Sequence, residues 1–129
     1  MLGKIKTQLL KSLPHSYLRK RNDIMSKNNT TIITNVALMT VFIVKDNGSY
    51  MAKCPELDLV TEMDTKEDAL KAMVEMIMEY AEDYKAQEDM YIHSPNRSHH
   101  KPYVDAVMNC HDEWEIMELL EVRYAHIHL

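Results

Sequence analysis

Residues 41–70 read VFIVKDNGSYMAKCPELDLVTEMDTKEDAL, and the turn, stop and cap signals in this stretch decide the fold. Asn47-Gly48 lies between two apolar runs. A two-residue type I′ turn needs positive φ at both central positions, and Asn and Gly tolerate it best. A tight hairpin is expected there. Upstream, Val36, Leu38, Thr40, Phe42 and Val44 interleave with Ala37, Met39, Val41 and Ile43. Both faces of a strand over 36–44 therefore carry apolar residues, which predicts a central position in its sheet. Downstream, Tyr50 and Ala52 alternate with Met51 and Lys53 until Pro55, which has no N–H to donate, stops the ladder. Residues 57–63 then form a third, shorter strand.

Thr65 followed three residues later by Asp68 approximates a capping box, and Glu67 and Asp68 lie where the helix dipole favours negative charge. A helix is expected from Lys66. Leu70, Met73, Val74, Ile77, Ala81 and Tyr84 recur at spacings of three and four, an apolar stripe that runs to about Lys85 and lies over the sheet. Further on, Ser94-Pro95-Asn96 is a turn signal, and Pro102 suits the first turn of a helix over 102–110. A short edge strand over 90–92 would complete a four-stranded sheet. Asp112 is a plausible N-cap for a last helix over 113–121, with Trp114 anchoring it on the body. The predicted class is α+β: a β-β-β-α-(β) antiparallel sheet covered by one long helix, followed by one or two short C-terminal helices.

This order, together with Gly48, Tyr50, Ala52, Cys54-Pro55-Glu56-Leu57, Asp64-Thr65, Glu67 and Ala69, resembles the HicB-like antitoxin family over about residues 36–85. Met63 departs from the pattern, since the family commonly has glycine before the Asp-Thr pair. The resemblance implies a HicB-like domain over 30–92; the charge and position of residues 1–29 mark a basic N-terminal extension, disordered or non-native, and the signals after the domain a C-terminal helical extension over 93–129. The resemblance also implies a HicA-like toxin protein as partner, which degrades RNA and is basic on its working face, and a homo-oligomer, dimer or tetramer. The motif residues Gly48, Tyr50, Ala52, Pro55, Glu56, Leu57, Asp64 and Thr65 have sufficient structural roles as turn, cross-strand packing, ladder end, core contact and cap.

A chain of 129 residues with 46% hydrophobic and 27% charged residues supports one domain with a real core. No apolar run approaches the ~18 residues needed to span a bilayer. Two cysteines without Cys-x-x-Cys spacing point to a reducing compartment, and a cytoplasmic protein is expected. Charge is uneven. Residues 1–29 hold seven basic side chains against Asp23, a net of +6, which leaves −11 of the total −5 on residues 30–129. The basic segment is either a nucleic-acid arm, a short amphipathic partner helix at Ile5, Leu9, Leu10 and Leu13, or an extension upstream of a start at Met25.

The acidic body suits occlusion of a basic partner. On the long helix, Glu75, Glu79, Glu82 and Asp83 are the candidate partner-binding carboxylates, with an ordinary Lys71–Glu75 pair on a solvated face as the competing reading. Met76 and Met78 lie off the main apolar line and join the candidates, since flexible thioethers suit adaptable surfaces as well as irregular cores.

Residues 86–129 carry Arg97, Lys101 and Arg123 against eight carboxylates, a poor match for phosphate, so DNA binding is left to the basic N-terminal segment. His93, His99, His100, His111, His126 and His128 cluster here, yet their spacing fits no closed Cys/His pattern, and no metal or other cofactor is assigned. His126 and His128 would share a face if the terminus is a strand. No catalytic residues are assigned either. A metal-dependent ribonuclease-H-like enzyme would need spaced carboxylates, for which Asp46, Glu56 and Asp64 are candidates. An orphan HicB-like oligomerisation module without a toxin is the other alternative.

Overall fold

The computed structural model describes residues 37–126 in full and, upstream of them, the backbone of 22–25 and 31–34. Strands β1 (Asn22–Met25) and β2 (Thr31–Thr34) pair antiparallel as a separate two-stranded sheet. The basic stretch 1–21, with the amphipathic segment read there, lies outside the described residues, as do 26–30 and His128.

β3 (Met39–Asp46) turns through Asn47-Gly48 into β4 (Ser49–Cys54). Asn47 has φ 47° and Gly48 φ 85°, the two positive values that a type I′ turn requires. Register follows from that turn: Asp46 faces Ser49, and Ile43 faces Ala52. After Cys54, Pro55–Leu57 form one 3₁₀ turn, and β5 (Leu59–Met63) runs back along β4. The third strand therefore starts two residues later than the apolar run suggests. Asp58 takes the left-handed conformation, φ 55°, to make that bend.

Glu56 explains why the 3₁₀ turn sits there. Pro55 cannot continue the ladder opposite Thr40, so the N–H of Thr40 donates instead to both Glu56 carboxylate oxygens at 3.1 Å. A part-buried N–H left without an acceptor costs about 1–3 kcal/mol. Glu56→Ala should therefore lower stability by about 1–2 kcal/mol, a fall in melting temperature of roughly 5–15 °C by circular dichroism. Glu56→Gln, which retains an acceptor, should recover much of it. An Ala variant with the wild-type melting curve would remove Glu56 from this role.

Helix α1 (Lys66–Ala86) starts where the cap signal puts it: the Thr65 hydroxyl accepts from the Asp68 N–H at 3.1 Å. Ala69, Met73, Val74, Ile77, Ala81 and Tyr84 are buried on its inner face, against Met39, Val41 and Ile43 of β3, Ala52 and Cys54 of β4, and Leu57. Tyr84 is fully buried, and its hydroxyl donates to the Arg97 carbonyl at 3.0 Å.

Residues 90–92, expected as an edge strand, are not one. They belong to a single helical turn, α2 (Glu88–Tyr91), and its exit. Side chains decide this: the Tyr91 hydroxyl donates to Asp83 at 2.8 Å, and its ring lies 5.1 Å from that of Tyr84. The segment is thereby folded back on α1. A 3₁₀ turn (Ser98–His100) leads into α3 (Lys101–Met108), followed by α4 (Glu113–Met117). Lys85 and Lys101 each reach both Glu88 and Asp105. These hydrogen bonds hold both amines above their ordinary value, Lys101 through Glu88 first and Lys85 through Asp105 first.

The last helix ends at Met117, not near 121, and the chain enters β6 (Leu120–His126). The sheet order is β5-β4-β3-β6, and β6 runs parallel to β3 with Met39 facing Leu120 and Val41 facing Val122. The sheet is thus mixed, and the α+β class holds. β3 is central, as its two apolar faces predict. Its second face carries Phe42 and Val44, which with Met51 are half-buried and stand away from the core beside Val60.

Candidate partner-binding surface

Glu75, Glu79 and Glu82 are spaced at four and three residues, which puts their side chains on one line along the outer face of α1. All three are exposed, and among the described residues none has an ion-pair or hydrogen-bond partner. Lys71 does not close on Glu75. The helix as a whole carries six carboxylates against three lysines, so its outer face is a negative strip whose field is unspent inside the fold.

The other candidates lie differently. Asp83 accepts from the Tyr91 hydroxyl and from the Gln87 amide at 3.3 Å, so it is committed to holding α2. Met76 is half-buried. Met78 turns inward against the core and lines a cleft of about 130 Å³ with Glu82, Val107, Met108, Cys110 and Ile116. That cleft joins the acidic strip to the C-terminal helices.

Trp114 does not anchor α4. It is 75% exposed, while Ile116 is buried. The phase of this short helix is set at its start: Asp112 accepts from the Glu115 N–H at 2.9 Å, and the Glu115 carboxylate accepts from the His111 N–H at 2.6 Å. This reciprocal cap buries Glu115 and Ile116 and turns Trp114 outward. Trp114 and Met108, 43% exposed, are thus large apolar side chains left on the surface of the C-terminal helices. The signal in the sequence was Glu115 three residues after Asp112.

Each motif residue has a structural place. Gly48 makes the turn, Ala52 is buried in the core, Tyr50 packs against its edge, Pro55 and Glu56 manage the ladder end, Leu57 is buried, and Thr65 caps α1 beside exposed Asp64. Asp46, Glu56 and Asp64 are not gathered into a metal-binding group. Among the described residues, the group of three that could hold an ion is Asp58, His99 and His100. Burial, with Glu56 and Glu115 adding to it, pushes the Cys54 and Cys110 thiols up to about 12, so neither is a thiolate nucleophile near neutral pH. No helix among the described residues is long and apolar enough to cross a membrane.

Sheet, covering helix and an acidic outer helix face define a small α+β protein. A family model described as "Antitoxin of toxin-antitoxin, RelE / RelB, TA system" matches residues 39–122, well over half of the chain, and the chain belongs to that family. The membership points to a regulatory role and gives the protein a toxin for a partner. The fold is also similar to a crystal structure of an antitoxin part of a proposed toxin/antitoxin system from Syntrophomonas wolfei subsp. wolfei, with a TM-score of 0.63 and 16% identity over 95% of this chain and 96% of that one. No curated protein matches.

Proposed function

We propose that this antitoxin neutralises a small, basic, RNA-degrading toxin of the HicA-like type by laying the outer face of α1 over the toxin's RNA-contacting surface. The observation that carries this reading is the line of Glu75, Glu79 and Glu82, exposed and unpaired within the fold. Carboxylates in that state offer to a cationic surface what phosphates offer it, and they can steer encounter as well as exclude RNA. Trp114 and Met108 supply the apolar contact that charge alone lacks, since buried aromatic anchors carry much of the energy of such interfaces. The description of the matched family favours a second reading, a toxin of the RelE type, and the sequence of the toxin encoded beside this chain separates the two. Self-association as a dimer or tetramer, in the cytoplasm, completes the reading.

Co-expression with the neighbouring toxin tests it: growth arrest should be relieved and the two proteins should co-purify. A pair that neither co-elutes nor restores growth overturns the reading. Within that complex, Trp114→Ala should weaken binding by about 2 kcal/mol or more, roughly 30-fold. Because the ring is exposed, the free protein's melting temperature should hardly move. Titration calorimetry on folded variant and wild type measures the difference, and equal affinities would put Trp114 outside the interface.

A further inference from the structure

We propose that Asp58, His99 and His100 bind a divalent transition-metal ion, with zinc the best fit, and so tie the bend between β4 and β5 to the start of α3. Each residue offers one ligand atom, and these atoms all lie within 4.8 Å of one another. The sequence hid this group because Asp58 comes from the strand region and the histidines from the far side of α1.

His100 carries the inference. It is 2% exposed, and its Nε2 is buried with no hydrogen-bond partner. That nitrogen faces the Asp58 carboxylate at 3.7 Å, too far for a hydrogen bond. The distance is close to the spacing of two ligand atoms on one ion: with zinc about 2.0–2.1 Å from each ligand, neighbouring ligand atoms in a tetrahedron stand about 3.3 Å apart. Asp58 and His99 are both exposed and can shift to close the remainder. The other ring nitrogen is already held, with Nδ1 2.6 Å from the Tyr80 hydroxyl. When the ion is bound, Nδ1–H donates to that hydroxyl, the outer-shell bond that orients a metal-ligating histidine.

The surroundings agree with the ligand type. Two imidazoles and one carboxylate suit zinc and its neighbours, whereas calcium and magnesium take all-oxygen sets. Burial, with His99 and Arg97, holds the His100 imidazole below its ordinary value against the opposing pull of Asp58, so its lone pair is available near neutral pH. Arg97, the nearby cation, is stacked over the Tyr80 and Tyr91 rings at 5.4 Å. The site opens on a cleft of about 260 Å³, which leaves a coordination position for water or a partner's side chain.

The test is a titration of chelator-treated full-length protein with Zn²⁺ by calorimetry, and with Co²⁺ by visible absorption. One ion per chain is expected, with the d–d bands of a tetrahedral cobalt site and a higher melting temperature in saturating zinc. Asp58→Asn keeps a residue that tolerates the left-handed backbone, and His99→Ala removes an exposed ring, so both variants should fold as wild type without metal. Each should weaken binding by more than the about 10-fold that loss of an outer-shell partner costs at least. Absence of saturable binding by the wild-type chain would overturn the proposal. So would wild-type affinity in both variants, which would put the ion at other histidines.

Discussion

Reversing Glu75, Glu79 and Glu82 together to lysine should weaken capture of the cognate toxin by about 100-fold or more at low salt, within the range over which electrostatic steering acts, and should abolish rescue of growth. The three carboxylates are exposed and have no partner among the described residues, so the change removes negative field without breaking a contact inside the fold. Lysine and glutamate have nearly equal helix propensity, and the variant should melt close to wild type. Salt discriminates further. With a screening length of about 8 Å at physiological ionic strength, wild-type association should slow as salt is raised, and that dependence should vanish or invert in the variant. Stopped-flow association rates and growth assays read both effects. A folded variant that binds and rescues as wild type would sink the acidic-face reading and leave Trp114 and the second face of the sheet as the surfaces to search.

Ending the chain after Leu119 should cost the protein its cooperative fold. The deletion removes β6 and with it the whole parallel ladder against β3, from Met39 facing Leu120 to Lys45 facing His126. It strips the buried Leu120 and the half-buried Val122 from the core, of which the leucine alone is worth about 2–5 kcal/mol. It also turns β3, apolar on both faces, into an exposed edge, which invites pairing with other chains. Set against a total stability of about 5–15 kcal/mol, these losses predict a broad or absent thermal transition and aggregation on concentration. A truncated chain that stays monomeric and melts as sharply as wild type would show β6 to be dispensable.

The residues that were legible in sequence act over a few positions. Asn47-Gly48 specifies its turn through backbone sterics, Pro55 stops a ladder because it lacks a donor, and Thr65 caps α1 with its own hydroxyl; each needs no distant partner. The acidic line on α1 was equally readable, because helical spacing and charge locate it. Misreadings fell where a contact between elements, or a cap inside one, overrides what composition suggests. Residues 90–92 have a strand-like composition, yet Tyr91 binds Asp83 and packs on Tyr84, and the segment becomes helical. Trp114 suits an inward face by hydrophobicity, but the Asp112–Glu115 cap rotates it out.

From the sequence alone came the hairpin, the strand-strand-strand-helix order, the buried stripe of α1 and the sign of its outer face, since all of these follow from short-range sterics, spacing and charge. Tertiary structure decided the parallel position of β6 and the meeting of Asp58 with His99 and His100. Both depend on which surfaces remain to be buried after the local elements have formed, and that is a property of the packed whole.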